Sequence, residues 1–224
     1  MSEKYVKMLK AMLNGSITSI EVFFLTLIFS VPLALLICGG RMSKAKVLSW
    51  ITRIFLLIIR GTPLMLQLLV VYFGPALFVR WLKSFGIEAS SWNRFTAAIV
   101  ALSVNYACYF AEIYRGGIES IPRGQYEAGK VLGYTPSQTF FRIVIPQVVK
   151  RIMPAMGNEV ITLVKDTALV SVIGVAELLM VAKERQSALF SFTPLFIAGV
   201  FYFVMNWFVT IGFAKLEKKL SYYN

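Results

Sequence analysis

Apolar residues run through this chain in long blocks, separated by short stretches of Lys, Arg, Gly and Pro. A helix needs about 20 apolar residues to cross the hydrocarbon core of a bilayer. Residues 17–38 meet that requirement, with Glu21 near one end. Residues 54–79 meet it with an interruption at Arg60-Gly61-Thr62-Pro63. Residues 95–114 and 192–214 supply two further spans. Residues 146–165 are less apolar, and the apolar character continues over 167–181, past Lys165-Asp166. A lipid-facing helix does not tolerate such a polar pair at mid-depth. The pattern therefore predicts a fourth span facing the protein interior, followed by a short helix that stops short of a full crossing. The expected fold is an all-α integral membrane protein, one domain over 1–224, with five crossings.

Composition supports this class. Of 224 residues, 58% are hydrophobic and only 15% charged, whereas a soluble domain carries about a quarter charged residues. The basic N-terminus followed by an apolar run imitates a secretory signal. That run is too long for a signal core, however, and ends in Gly39-Gly40-Arg41 without a cleavage pattern, so it is read as a retained span. The net charge of +12 comes mostly from residues that flank apolar blocks. This is the arrangement that orients membrane proteins, not a nucleic-acid-binding stripe. Fourteen basic residues, Arg41, Arg53, Arg115, Arg142 and Lys215 among them, collect on one face, against eight on the other. The first face is expected to be cytoplasmic, with the N-terminus outside and the C-terminus inside. Histidine is absent, and Cys38 and Cys108 lie in apolar blocks without metal or disulfide spacing. A catalytic or metal-binding role is not expected.

The longest polar segment, 115–146, connects the third and fourth spans on the expected cytoplasmic face. Residues 124–132 can form a short exposed helix, broken by Gly133 and Pro136. A second, more apolar helix is expected over 137–145, with Pro146 starting the next element. Residues 124–130 nearly match the phosphate-binding pattern GxxxxGK[ST]. Val131 replaces the required hydroxyl and no strand precedes it, so nucleotide binding is not expected here.

Within this segment Glu127-Ala128-Gly129, then Gly133, then Ile143, Ile145 and Pro146 resemble the EAA loop of ABC importer permeases. That pattern is Glu-Ala-Ala, three residues, Gly, nine residues, Ile, one residue, Leu, Pro. The spacing agrees throughout; Gly129 stands for the second Ala and Ile145 for Leu. Arg60-Gly61-Thr62-Pro63, Ala111-Glu112-Ile113 and Lys165-Asp166-Thr167-Ala168-Leu169 are similar to the polar amino-acid branch of type I importers, so the resemblance covers nearly the whole chain. It implies a five-helix permease with a cytoplasmic coupling helix in a bacterial cell membrane, paired with an identical or homologous permease. It also implies an ATP-binding subunit dimer, which would hold ATP and magnesium, docked around Glu127, Ala128, Gly129, Gly133, Ile143 and Pro146. An extracellular or periplasmic binding protein would deliver an amino acid for import by alternating access. A secondary transporter or channel for a small polar solute is the alternative, but it leaves the EAA-like loop unexplained.

Ionisable groups inside a bilayer are costly and so are candidates for function. Glu159, Thr162 and Asp166 share one face of the fourth span, and Asn105, Tyr109 and Glu112 share one face of the third. Where these faces meet they would offer acceptors to the amino group of a zwitterion. Equally, they could bond one another or backbone freed at Pro154 and Gly157. Asp166 leans to the second role and Glu112 is placed to pair with Arg115. Gln67 and Glu21 are further polar positions within spans. Asn158-Glu159 resembles members that carry cationic amino acids, where a carboxylate supplies charge and specificity. Arginine, lysine or histidine is the expected cargo, with glutamine and cystine open.

Overall fold

A computed structural model describes residues 2–85 and 91–220, and these are helical with no strand. Four helices are long and apolar enough to cross a membrane: α1 (Ser2–Arg41), α3 (Leu64–Lys83), α4 (Arg94–Glu119) and α9 (Thr193–Leu220). The fifth member of the bundle, α7 (Ile145–Asp166), has the length but is more polar and carries Glu159, Lys165 and Asp166. Between α1 and α3 lies α2 (Lys46–Gly61); α5 (Arg123–Val131), α6 (Pro136–Thr139) and α8 (Leu178–Leu189) are the shorter helices.

The central helix is α4, whose buried residues include Ala97, Ala98, Ala101, Ala107, Cys108 and Ala111. Its most extensive contact is with α1. The buried positions of α1 recur every three or four residues, at Met12, Ser16, Ser19, Val22, Thr26, Ser30, Ala34 and Cys38. Most of these residues are small. In lipid the hydrophobic effect does not press helices together, so close backbone approach between small side chains supplies the attraction. The same logic operates where α4 crosses α7: a Cβ on Gly117 would lie 2.2 Å from Cγ2 of Ile152.

The structure departs from the sequence reading in three places. The span expected over 54–79 is two helices, because Thr62 adopts an extended backbone ahead of Pro63. Pro146 stands in the first turn of α7, where the sequence reading starts an element, but no break precedes it. Residues 136–166 form one continuous rod, in which residues Phe140–Val144 make a π-turn and the Ile145 N–H reaches the Phe140 carbonyl. The wider turn accommodates a residue that has no N–H to donate. The short helix expected over 167–181 is divided: a 3₁₀ turn (Thr167–Ile173) stops at Gly174, where φ is +79°, and α8 begins only at Leu178. A left-handed backbone of this kind suits glycine, which has no Cβ to clash.

The start of α8 is held by Glu177, which is 0% exposed. Its carboxylate accepts the N–H groups of Leu179 and Met180, each at 2.7 Å, and the Tyr202 hydroxyl at 2.7 Å. The Ser19 hydroxyl accepts the Leu178 N–H at 3.3 Å. Gly15 lets α1 come this close, since a Cβ there would sit 3.0 Å from the Leu178 Cα. One carboxylate thus ties α8 to α9 and, through Ser19, to α1. Removing it strands two N–H groups and a hydroxyl away from water, at roughly 1–3 kcal/mol each. Glu177→Ala is therefore expected to lower the thermal unfolding midpoint of the detergent-solubilised chain more than Tyr202→Phe does. An unchanged midpoint for Glu177→Ala would show that the node contributes nothing.

Candidate functional site: the coupling elbow and the polar bundle interior

The segment joining α4 to α7 folds as a helical elbow. Helix α5 ends in a Schellman motif: the Tyr134 N–H bonds the Gly129 carbonyl at 2.9 Å and the Gly133 N–H bonds the Lys130 carbonyl at 3.0 Å. Gly133 has φ of +73°, the left-handed conformation the motif demands. Two residues later Thr135 opens α6 with a capping box, exchanging bonds with Gln138 at 3.3 and 2.9 Å. The stretch read as a near match to a phosphate-binding loop is α5 itself.

Three contacts fix this elbow to the transmembrane rods. The Gln147 amide donates to Gln125 at 2.9 Å, linking α7 to α5. The Arg151 guanidinium donates to the Ser120 carbonyl and, at 3.1 Å, to its hydroxyl, linking α7 to the end of α4. Beneath them Ile121, Val144 and Val148 form a small apolar cluster with Tyr126 and Phe140 against it. Gly129 is buried against Thr139, whose Oγ1 would lie 2.4 Å from a Cβ at that position. The departure from Ala at position 129 thus has a local cause: Thr139 occupies the space. Glu127, Ala128, Val131 and Leu132 are exposed, as are Phe141 and Pro146, while Ile143 is half-buried. The elbow presents a mixed charged and apolar face and holds Gly129 inward and Gly133 at the turn.

Inside the bundle the polar groups are arranged in layers. The Asn105 amide donates to Gln67 Oε1 at 2.9 Å. Gln67 Nε2 in turn donates to the Ile59 carbonyl at 2.6 Å and to the Thr62 carbonyl at 3.1 Å. These are carbonyls freed by the break between α2 and α3, so the Asn105–Gln67 pair repairs backbone. Asp166 accepts the Tyr106 hydroxyl at 2.7 Å. Lys165 is exposed and lies in electrostatic range of Asp166 without closing an ion pair. The Thr162 hydroxyl donates to the Asn158 carbonyl at 3.0 Å. Nearer the end of α4, Glu112 pairs with Arg115 at 2.7 Å and lies 3.6 Å from Arg60, which stacks 5.2 Å from the Tyr109 ring. Glu159 is half-buried and makes no hydrogen bond or ion pair among the described residues, although Asp166 and Arg60 lie within its electrostatic range.

Residues 17–222 match the family described as binding-protein-dependent transport system inner membrane component. The chain belongs to that family. The permease is 35% identical to the arginine transport system permease protein ArtQ of Bacillus subtilis, covering 93% of this chain and 92% of the relative. It is 35% identical to the nopaline permease NocM of Agrobacterium fabrum (93% and 85% covered) and 34% identical to the L-cystine permease TcyB of Bacillus subtilis (94% and 86%). Among solved structures, an amino acid ABC transporter determined with histidines superposes with a TM-score of 0.83 at 36% identity over 96% of each chain. The inward-facing methionine transporter MetNI shares the fold, with a TM-score of 0.68 at 19% identity. The permease is a multi-pass membrane subunit of an amino-acid ABC importer, a class that works with ATPase and binding-protein partners.

Three residues that organise this interior escaped the sequence reading or stood low in it. Gln67 was one polar position among several, while Tyr106 and Glu177 were not singled out. Tyr106 gave no signal in the sequence, since the Asp it bonds lies 60 residues away and is reached only in the fold. Glu177 carries a weak signal, a lone acid three residues beyond Gly174.

The packing at Gly129 yields a direct test. Gly129→Ala is expected to destabilise the elbow by roughly 1–3 kcal/mol through overpacking, because the β-branched Thr139 is stiff about χ1. The double variant Gly129→Ala with Thr139→Ala should recover most of that loss. Hydrogen exchange over residues 123–139 of the purified permease reads both effects, and equal protection in all three proteins would refute the contact.

Proposed function

We propose that this permease carries a cationic amino acid, arginine, lysine or histidine, and that Glu159 meets its positive group. The observation that supports this is the state of Glu159. The other acidic groups described in the interior, Glu112, Asp166 and Glu177, already hold an Arg, a Tyr hydroxyl, or N–H groups. Glu159 alone among these four is left without a bonded partner and is half-buried on α7. A carboxylate in that state gains a charge-assisted bond when a guanidinium or ammonium arrives. The similarity to an arginine permease and to a transporter solved with histidines agrees with this reading. The similarity to a cystine permease is the reason the cargo must be tested.

In the proposed cycle two ATP-binding subunits, which hold ATP and magnesium, dock on the elbow around Glu127, Ala128, Gly129, Gly133, Ile143 and Pro146. Their closure draws α5 inward. Because α5 is tied to α7, and α7 to the end of α4, the movement passes into the rods, and the bundle opens toward a binding protein on the other side. A second permease, identical or homologous, completes the path. The elbow and the C-terminus then lie in the cytoplasm, with the N-terminus outside.

The test is uptake into proteoliposomes holding the permease, its ATPase and its binding protein. Glu159→Gln is expected to reduce arginine uptake at least roughly tenfold, the loss of one charge-assisted bond, with arginine affinity of the binding protein unchanged. Undiminished arginine uptake would remove Glu159 from the path. Glu127→Ala alters an exposed residue, so it should abolish ATP-driven uptake of any cargo without shifting the unfolding midpoint. Full uptake in that variant would place the docking contact elsewhere.

A further inference from the structure

We infer that a cavity between α1, α2 and α4 binds the phosphate of an anionic phospholipid headgroup. The cavity has a volume of about 330 Å³ and is lined by Arg41, Arg53, Arg60 and Glu112, with Leu57 on its wall. A space of that size is within the range of small-ligand sites. Its charge is unbalanced. Three guanidinium groups face one carboxylate, and that carboxylate already holds Arg115 at 2.7 Å. Arg60 is positioned by the Tyr109 ring and by Glu112 at 3.6 Å. Arg41 is positioned by the Ser49 hydroxyl at 3.2 Å. Arg53 makes no hydrogen bond or ion pair among the described residues. Two anchored guanidinium groups and one unbound one around a cavity are a forked donor set suited to phosphate oxygens.

The surroundings favour a lipid over a free anion. Trp50, Leu57 and Ile58 on α2 are 63%, 63% and 56% exposed, so an apolar face adjoins the guanidinium groups. A phospholipid satisfies both surfaces at once, its acyl chains covering that face and its phosphate entering the cavity. Trp is characteristic of the level at which headgroups sit. The inference does not depend on which membrane face is cytoplasmic or on the identity of the cargo.

Native mass spectrometry of the full chain in detergent tests this, with phosphatidylglycerol or phosphatidylcholine titrated in. The wild-type chain should retain one phosphatidylglycerol in clear preference to phosphatidylcholine. Arg53→Gln changes an exposed side chain that bonds nothing in the bundle, so it keeps the fold and should weaken phosphatidylglycerol roughly fivefold. Arg41→Gln with Arg53→Gln should weaken it about thirtyfold. Lys4→Gln with Lys10→Gln, at the other end of α1, should leave it unchanged. Equal retention of the two lipids by wild type would overturn the proposal, as would full retention of phosphatidylglycerol by the Arg41/Arg53 double variant. Displacement of the lipid by inorganic phosphate at matching concentration would overturn the lipid assignment in favour of a free anion.

Discussion

Backbone N–H and C=O groups inside a bilayer must find partners within the protein, because no water is present to take them. At three places among the described residues a helix breaks or distorts, and each has its own remedy. Where α2 meets α3, the Gln67 amide takes the carbonyls of Ile59 and Thr62. Ahead of Pro146 the helix widens into a π-turn and continues. Ahead of α8 the Glu177 carboxylate takes the first free N–H groups. These remedies decide which polar side chains are committed to architecture. Asn105 is bonded to Gln67 and Asp166 to Tyr106, and Glu159 is left over.

The elbow shows how a small exposed helix becomes mechanically part of the bundle. A loop that only connected α4 to α7 would absorb a push by bending. Here the Schellman turn and capping box stiffen the elbow from within, and Gln147 and Arg151 fasten it to the rods. The rod is unbroken from Pro136 to Asp166, so displacement at the elbow is carried into the level of Glu159. Close approach at Gly117 and Gly129 removes the slack that larger side chains would introduce.

Much of this was legible in the sequence. Long apolar blocks specify membrane helices through length and composition alone, and Gly133 announces a helix end because only its backbone freedom suits the turn. The break at Arg60-Gly61-Thr62-Pro63 was visible as an interruption, but whether the helix bends or restarts depends on Thr62 and on the partner amide of Gln67. Pro146 marks the start of α7 as read, but the continuity with the helix before it was not visible, because the π-turn that joins them is a property of the preceding five residues. The roles of Asn105, Tyr106, Asp166 and Glu177 rest on pairings across tens of residues, which spacing along one helix does not disclose. The same holds for Gly129, whose reason is Thr139.

The node at Glu177 also bears on how the protein is made. Ser19 precedes Glu177 by 158 residues, and Tyr202 follows it by 25. At about 5–20 residues per second of synthesis, the first helix waits in the bilayer for roughly 10–40 s before its last neighbours emerge. Until α4 follows it into the bilayer, its inward seam has only lipid against it. The three serine hydroxyls on that seam already have an outlet, since Ser16, Ser19 and Ser30 can bond carbonyls of their own helix, those of Met12, Gly15 and Leu27. A seam of serines is therefore content alone and still adhesive later, which suits a helix that must be inserted first and embraced last.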